Sequence, residues 1–262
     1  MMRSLYTAAA GMKVNQTYVD NISNNLSNIN TVGFKKSSLQ FEDLIYQTMQ
    51  EPGGETAEGV TAPLGIQIGL GSRVAATDRD FSQGSLDETG NSTDAAIEGD
   101  GFFQIRLPNG ETAYTRAGNF SLSSDGYLCT SQGYILEPGI VIPDDADDMY
   151  IDEDGKVMAT LTEDEEAEEL GQIELARFIN PAGLSAQGGN LYLQTEASGE
   201  PILGTPGDDN FGSIKNQYLE ASNVDMVDEM VGMIIAQRAY EISSKSITTS
   251  DDMLQTATSL KT

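Results

Sequence analysis

The sequence has no histidine, no tryptophan and a single cysteine, and its 14 Lys and Arg are outnumbered by 41 Asp and Glu. Histidine is the side chain most used for proton transfer near neutrality and the commonest metal ligand, so its absence removes the usual centre of acid–base and zinc chemistry. The lone Cys129 excludes an internal disulfide and any paired-cysteine redox or metal motif. A net charge of -27 repels nucleic acid and anionic lipid, so neither is expected as a partner. Aromatic residues make up 7% and apolar residues 39% of 262 positions, a modest supply for one large core that favours an extended arrangement. No apolar run approaches the ~20 residues that cross a bilayer, and Lys13, Asn15 and Gln16 soon interrupt the first apolar residues. Neither membrane insertion nor a cleaved secretion signal is therefore expected.

Catalytic signatures are missing as well. There is no nucleophile elbow, phosphate-cradling loop or dinucleotide fingerprint, and Gly69-Leu70-Gly71 runs into Ser72 and Arg73 without a helical opening. Two carboxylates could hydrolyse a glycoside, but nothing singles out a pair among 41 acids, so the reading is non-enzymatic, with no cofactor and no metal. Residues 144–169 hold 13 carboxylates and one Lys. Aligning them as a calcium loop on Gly155 puts Tyr150 at the first ligand position, which fails, and the stretch reads as a solvated, mobile acidic loop. Cys129, inside Tyr127-Leu128-Cys129-Thr130, reads as a small buried residue.

Periodicity marks both ends. Leu5, Met12, Val19 and Leu26 recur every seven residues, with Ile22 and Ile29 three places after the last two, predicting an amphipathic helix over about residues 4–29. Its polar face is Asn, Gln, Ser and Thr, so it carries few ion pairs and is marginal alone. Asn30, Thr31 and Gly33 supply stop signals. Near the other end, Ser222-Asn223-Val224-Asp225 reads as a capping box opening a proline-free helix to about residue 258. There Val224 and Val231, Ile235 and Ile242, and Ser246 with Met253 are each seven apart, with register shifts between the sets. Gly11 and Gly232 sit inside these helices, each next to a Met, and read as points of close helix approach. Arg238 falls on the second seam as a snorkelling side chain, or alternatively as half of a subunit-bridging ion pair.

Between the ends the signals change to strand and turn. Phe102 to Leu107 meets Pro108-Asn109-Gly110, and Ser124-Asp125-Gly126 and Glu153-Asp154-Gly155 punctuate later runs. The expected fold is α+β. Residues 1–36 and 220–262 form terminal helices packed as a coiled coil, residues 37–91 an extended connector rich in Gly, Pro and Thr near 50–72, and residues 92–219 a central antiparallel all-β domain.

Several strings carry a resemblance. Met2-Arg3-Ser4-Leu5-Tyr6-Thr7-Ala8-Ala9-Ala10-Gly11-Met12, the run Ile22 to Lys35 containing Asn24, Asn25, Gly33 and Phe34, and Glu229 to Ile234 followed by Gln237-Arg238-Ala239-Tyr240-Glu241 resemble the end signatures of bacterial flagellar rod and hook proteins. Ile97-Glu98-Gly99-Asp100-Gly101-Phe102-Phe103 and Tyr114 to Phe120 resemble that family's central β domain, while the Phe41 to Gln47, Gly65 to Arg73 and Leu219 to Val224 segments point to a rod member. The resemblance implies a subunit exported through the flagellar type III apparatus and polymerising with itself into a hollow shaft of the basal body. Proximal rod proteins, the hook protein and the surrounding L and P rings are its implied neighbours. Asn91-Ser92-Thr93-Asp94 and the acidic 144–169 stretch depart from the family pattern. A hook or proximal rod subunit, or a secreted adhesive module, is the alternative.

Overall fold

The two long proline-free stretches become helices. α1 spans Met2–Ser27 and α2 spans Met226–Ser259 in the computed structural model, which describes residues 2–51, 55–57, 60–61, 64–143, 145–161, 167–208 and 210–260. α1 stops before Ile29, because Asn28 to Asn30 turn and Gly33 adopts a φ of 67°. α2 begins three residues later than the capping-box reading. Asp225 is its N-cap, with Oδ1 accepting from the Val227 N–H at 2.8 Å and the Asp228 N–H at 3.2 Å. Asp228 and Glu229 then set negative charge against the positive end of the helix. Val224 thus lies outside the helix, and the Ser222 hydroxyl accepts only from the Val224 N–H, at 3.4 Å.

The chain divides into two compact units, one of Met1–Leu26, Ser37–Asp78 and Asp225–Thr262, the other of Ser27–Lys36 and Arg79–Val224. In the first, Ser37–Asp43 pairs with Ser72–Arg79 and the chain between folds back on itself. Tyr46–Gln50 runs antiparallel to Ile66–Gly69, with Tyr46 opposite Gly69 and Gln47 opposite Ile68, and Glu55–Ala57 pairs with Val60–Thr61 farther along. The expected extended connector is therefore a paired ribbon where it is described; residues 52–54, 58–59 and 62–63 lie outside the described residues.

The second unit is built on an antiparallel sheet with Phe102–Arg106 at its centre, paired on one side with Thr112–Thr115 and on the other with Ile135–Leu136 and Leu175–Arg177. Leu191–Leu193 and Ser185–Gly188 extend the first side. Strand alternation sends Phe102 and Phe103 into different clusters. Phe103 and Ile105 join the larger one with Phe120, Leu136, Ile151, Val157 and Ile173, whereas Phe102 meets Phe81, Phe178 and Tyr192 edge-on, and Tyr114 joins that smaller cluster through Phe178. The acidic stretch is not a loop. Ala146–Ile151, Lys156–Leu161 and Ala167–Gln172 form a three-stranded antiparallel meander, because Met149, Ile151, Val157 and Ala159 alternate inward while Asp148, Glu168 and Glu169 are exposed. Residues 144 and 162–166 fall outside the described residues.

Phe103 is fully buried. Phe103→Ala should destabilise the second unit by about 3–5 kcal/mol in equilibrium urea unfolding, and a cost below 1 kcal/mol would show the larger cluster to be misassigned.

Candidate functional site

The two helices touch through small residues. Ser4 Oγ lies 3.3 Å from Ser250 Oγ, a Cβ on Gly11 would sit 3.4 Å from Ser243 Oγ, and Asn25 Nδ2 donates to Glu229 Oε1 at 3.2 Å. These contacts step by seven along both helices in opposite directions, so α1 and α2 run antiparallel. Between them a Cβ on Gly232 would meet Ile22 Cδ1 at 3.3 Å and Tyr18 Oη at 3.4 Å, and Ala236 is buried. Ser, Gly and Ala at the contact let the backbones approach closely, since interaxial distance follows side-chain size.

The larger apolar residues lie beside this seam. Leu5, Met12, Val19 and Leu26 are half-buried, each one residue past Ser4, Gly11, Tyr18 and Asn25, and only Ile22 of the α1 set is fully buried. Ile29, half-buried, and Val224, buried, belong to the second unit. On α2, Val231, Ile235, Ile242 and Met253 are 50%, 60%, 70% and 49% exposed. Arg238 is at the surface, bonded to Glu241 at 2.8 Å. Tyr240, also exposed, shares a groove with Gln16, Val19, Gln237 and Glu241. A 34-residue helix with only Ala236 and Ser250 buried leaves most of its apolar surface in water.

Two polar clusters tie down chain segments, one in each unit. In the first unit, Asn25 accepts the Ser37 N–H at 3.0 Å and donates to the Ser37 carbonyl at 2.9 Å, imitating a paired strand, and Asn21 donates to the same carbonyl at 2.7 Å. Asn24 faces outward. In the second unit, Lys35 Nζ donates to Glu220 Oε1 at 2.6 Å and to the Ser82 carbonyl at 2.7 Å, and the Gly84 N–H donates to Glu220 Oε1 at 2.9 Å. Arg116 Nη1 lies 3.6 Å from Glu220 Oε2, and its guanidinium sits 5.3 Å from the Phe102 ring centre. All three charged side chains are inside: Lys35 and Glu220 are 0% exposed and Arg116 is 3% exposed. Burial pushes the Lys35 ammonium below its ordinary value, with Glu220 pulling it back up; burial likewise lowers Arg116. Asn223 closes the cluster by accepting the Lys36 N–H at 2.7 Å and donating to the Asp80 carbonyl at 2.9 Å. Sequence reasoning missed these roles, although Lys35, Arg116 and Glu220 each stand next to apolar or small residues inside the motif strings.

Comparison with known proteins matches three family descriptions along the chain. Residues 5–35 match the flagella basal body rod protein family, residues 96–159 the D1 domain of the flagellar hook protein FlgE/F/G family, and residues 215–260 the C-terminal region of the flagellar basal body rod FlgEFG proteins. The flagellar basal-body rod protein FlgG of Borreliella burgdorferi is 52% identical over all of this chain and 99% of its own length. Those of Caulobacter vibrioides and Bacillus subtilis are 46% and 44% identical, over at least 99% of both chains. The chain belongs to the FlgG family of flagellar basal-body rod proteins. A FlgE hook protein of Helicobacter mustelae is 41% identical, over 52% of this chain and 30% of its own length.

FlgG-type motif positions now have physical reasons. Gly33 is required because a Cβ there would lie 2.6 Å from the Ala117 nitrogen, and its N–H donates to the Glu220 carbonyl at 2.7 Å. Gly101 has a φ of 150° and puts Leu175 Cδ1 where a Cβ would find it at 3.1 Å. Phe34 is buried beside Lys35 in the chain.

Asn25→Ala leaves the Ser37 N–H without its acceptor and should cost the first unit about 1–3 kcal/mol. The check is faster amide exchange at Ser37 with exchange in Phe102–Arg106 unchanged. Lys35→Met strands the Glu220 carboxylate and should lower the unfolding free energy of the second unit by about 3–5 kcal/mol, read from chemical denaturation.

Proposed function

We propose that this chain is a structural subunit of the distal part of the flagellar rod. Copies polymerise through their terminal helices, packed as a coiled coil, into a hollow helical shaft that carries motor torque to the hook. The single observation that supports this most is α2: its small-residue seam satisfies α1, yet Val231, Ile235, Ile242 and Met253 stay exposed in one chain. Exposed apolar side chains on a helix gain about 25 cal/mol per Å² when a neighbour covers them. An interface repeated head to tail does not close, and so builds a helical polymer.

Its neighbours in this reading are proximal rod proteins, the hook protein and the L and P rings, in a basal body that crosses the periplasm and cell wall. Delivery is through the flagellar type III apparatus without a cleaved signal. No described helix is long and apolar enough to cross a membrane. Leu5, Gly11, Met12 and Gly232 would line the helix packing, and the exposed α2 residues with Arg238 the contact between subunits. The paired ribbon of residues 46–69 adds a second intersubunit contact that stiffens the shaft. A hook subunit is less well supported, because full-length likeness runs to rod proteins.

Ile242→Asp tests the assembly face directly. As a surface substitution it should change monomer stability by less than about 0.5 kcal/mol, while electron microscopy of cells shows no completed rods and motility is lost. Normal rods from this variant would remove α2 from the interface.

A further inference from the structure

We infer that the second unit closes only when segment 213–224 docks, because Glu220 on that segment is the ion-pair partner of two buried cations that come much earlier in the chain. Lys35 and Arg116 are both inside the unit, and within ion-pair distance each has Glu220. Arg116 depends on it most: its Nε and Nη1 and the facing Glu220 Oε2 carry no hydrogen bond, so charge alone compensates them. Asp80 and Asp100 act on the two cations from farther away, and Asp80 is itself half-exposed and paired with Lys36.

Consider the same unit before residue 213 is available. The hairpin Phe102–Arg106 with Thr112–Thr115 is local, but alone in water a two-stranded hairpin is marginal and gives its amides little protection. Completing the core around it, however, places Arg116 against Phe102 and Lys35 beneath residues 82–84 with no carboxylate between them. Uncompensated charge in an apolar surrounding is among the most unfavourable arrangements a fold can contain. Both cations therefore stay in water, and the sheet stays open.

Arrival of 213–224 changes several things at once. Ser213–Asn216 pairs with Ala95–Glu98, Tyr218–Glu220 pairs with Leu86–Glu88, and Ile214 becomes fully buried in the larger cluster. The Glu220 carbonyl takes the Gly33 N–H while its carboxylate takes Lys35, the Gly84 N–H and the charge of Arg116. Lys35 and Glu220 are 185 residues apart, so the unit closes only when nearly the whole chain is present, whichever end arrives first. For a subunit threaded through a narrow channel, a consequence that rests on the delivery proposed above, this keeps the chain unfolded until its passage is almost complete.

The test is refolding of the full chain from denaturant with pulsed amide-exchange labelling. In the native sequence, strand Phe102–Arg106 and segment 213–220 should gain protection at one rate. In Lys35→Met/Arg116→Met/Glu220→Leu, which removes all three charges together, Phe102–Arg106 should become protected several-fold sooner than 213–220. Glu220→Gln, which keeps size and an acceptor but removes the charge, should slow or abolish protection of both segments together, and it decides the matter should the triple variant not fold. Early protection of Phe102–Arg106 in the native chain, a single rate in a folded triple variant, or an unchanged rate in Glu220→Gln would each overturn the inference. None of these readouts involves assembly, so their failure leaves the rod reading standing.

Discussion

Burying one carboxylate between two cations restricts where three separate chain segments can go. Residues 33–36 reach Glu220 through Lys35 and the Gly33 N–H, residues 82–84 reach it through the Gly84 N–H and hold Lys35 through the Ser82 carbonyl, and the turn after Thr112–Thr115 reaches it through Arg116. Each would be unfavourable inside the protein without the others, and together they are tolerated because charge and most hydrogen-bonding capacity are matched. A hydrophobic core alone would not select these partners, since apolar contact is non-directional. The aromatic cluster of Phe81, Phe102 and Tyr192 gathers beside the ion cluster, with Arg116 over Phe102 as the bridge between the two, and Arg79 lies over Tyr192.

Helix existence was legible in the residues, but the positions at which the helices touch were not. The eye follows Leu5, Met12, Val19 and Leu26, whereas the contact with α2 runs one residue earlier through Ser4, Gly11, Tyr18 and Asn25. A hydrophobic stripe marks what is to be buried, and says nothing of whether the partner belongs to the same chain. The serines at 243 and 250 carry no apolar signal at all, so a reading weighted toward Ile and Val passes over them. The same bias put the α2 cap at Ser222, where the residue type fits, although Asn223 is already engaged with Lys36 and Asp80, leaving Asp225 to cap.

The acidic meander shows the opposite failure. Thirteen carboxylates over residues 144–169 read as solvated coil because charge outweighs pattern on composition. Period two was nonetheless present in Met149, Ile151, Val157 and Ala159, and a strand needs only one apolar face. The ribbon of residues 46–69 was obscured differently. Its described strands are short, and Tyr46–Gln50 pairs with Ile66–Gly69 some 20 residues away, information that no local window contains. Buried charges are the hardest of all to read, because Lys35 in isolation looks like any surface lysine until Glu220 is known to be near.

Charge and apolar exposure are distributed in complementary ways along the chain. Residues 2–36 hold Arg3, Lys13, Lys35 and Lys36 against Asp20 alone, and one of those cations is neutralised inside by Glu220. Much of the excess acid sits in the meander of the second unit. α1 carries Arg3 and Lys13 against Asp20, and α2 carries Arg238 and Lys245 against Asp228, Glu229, Glu241, Asp251 and Asp252, so copies meeting through their helices as proposed would bring together only a small share of the net charge of -27. At physiological ionic strength repulsion between exposed charges fades over roughly 8 Å, so any packing that holds neighbouring meanders farther apart than that escapes most of their mutual repulsion. In the proposed assembly the apolar helix faces would supply the attraction at close range, and the acid elsewhere on the chain would disfavour packings that bury the wrong surface. Selectivity of that assembly would then follow from one uneven charge pattern.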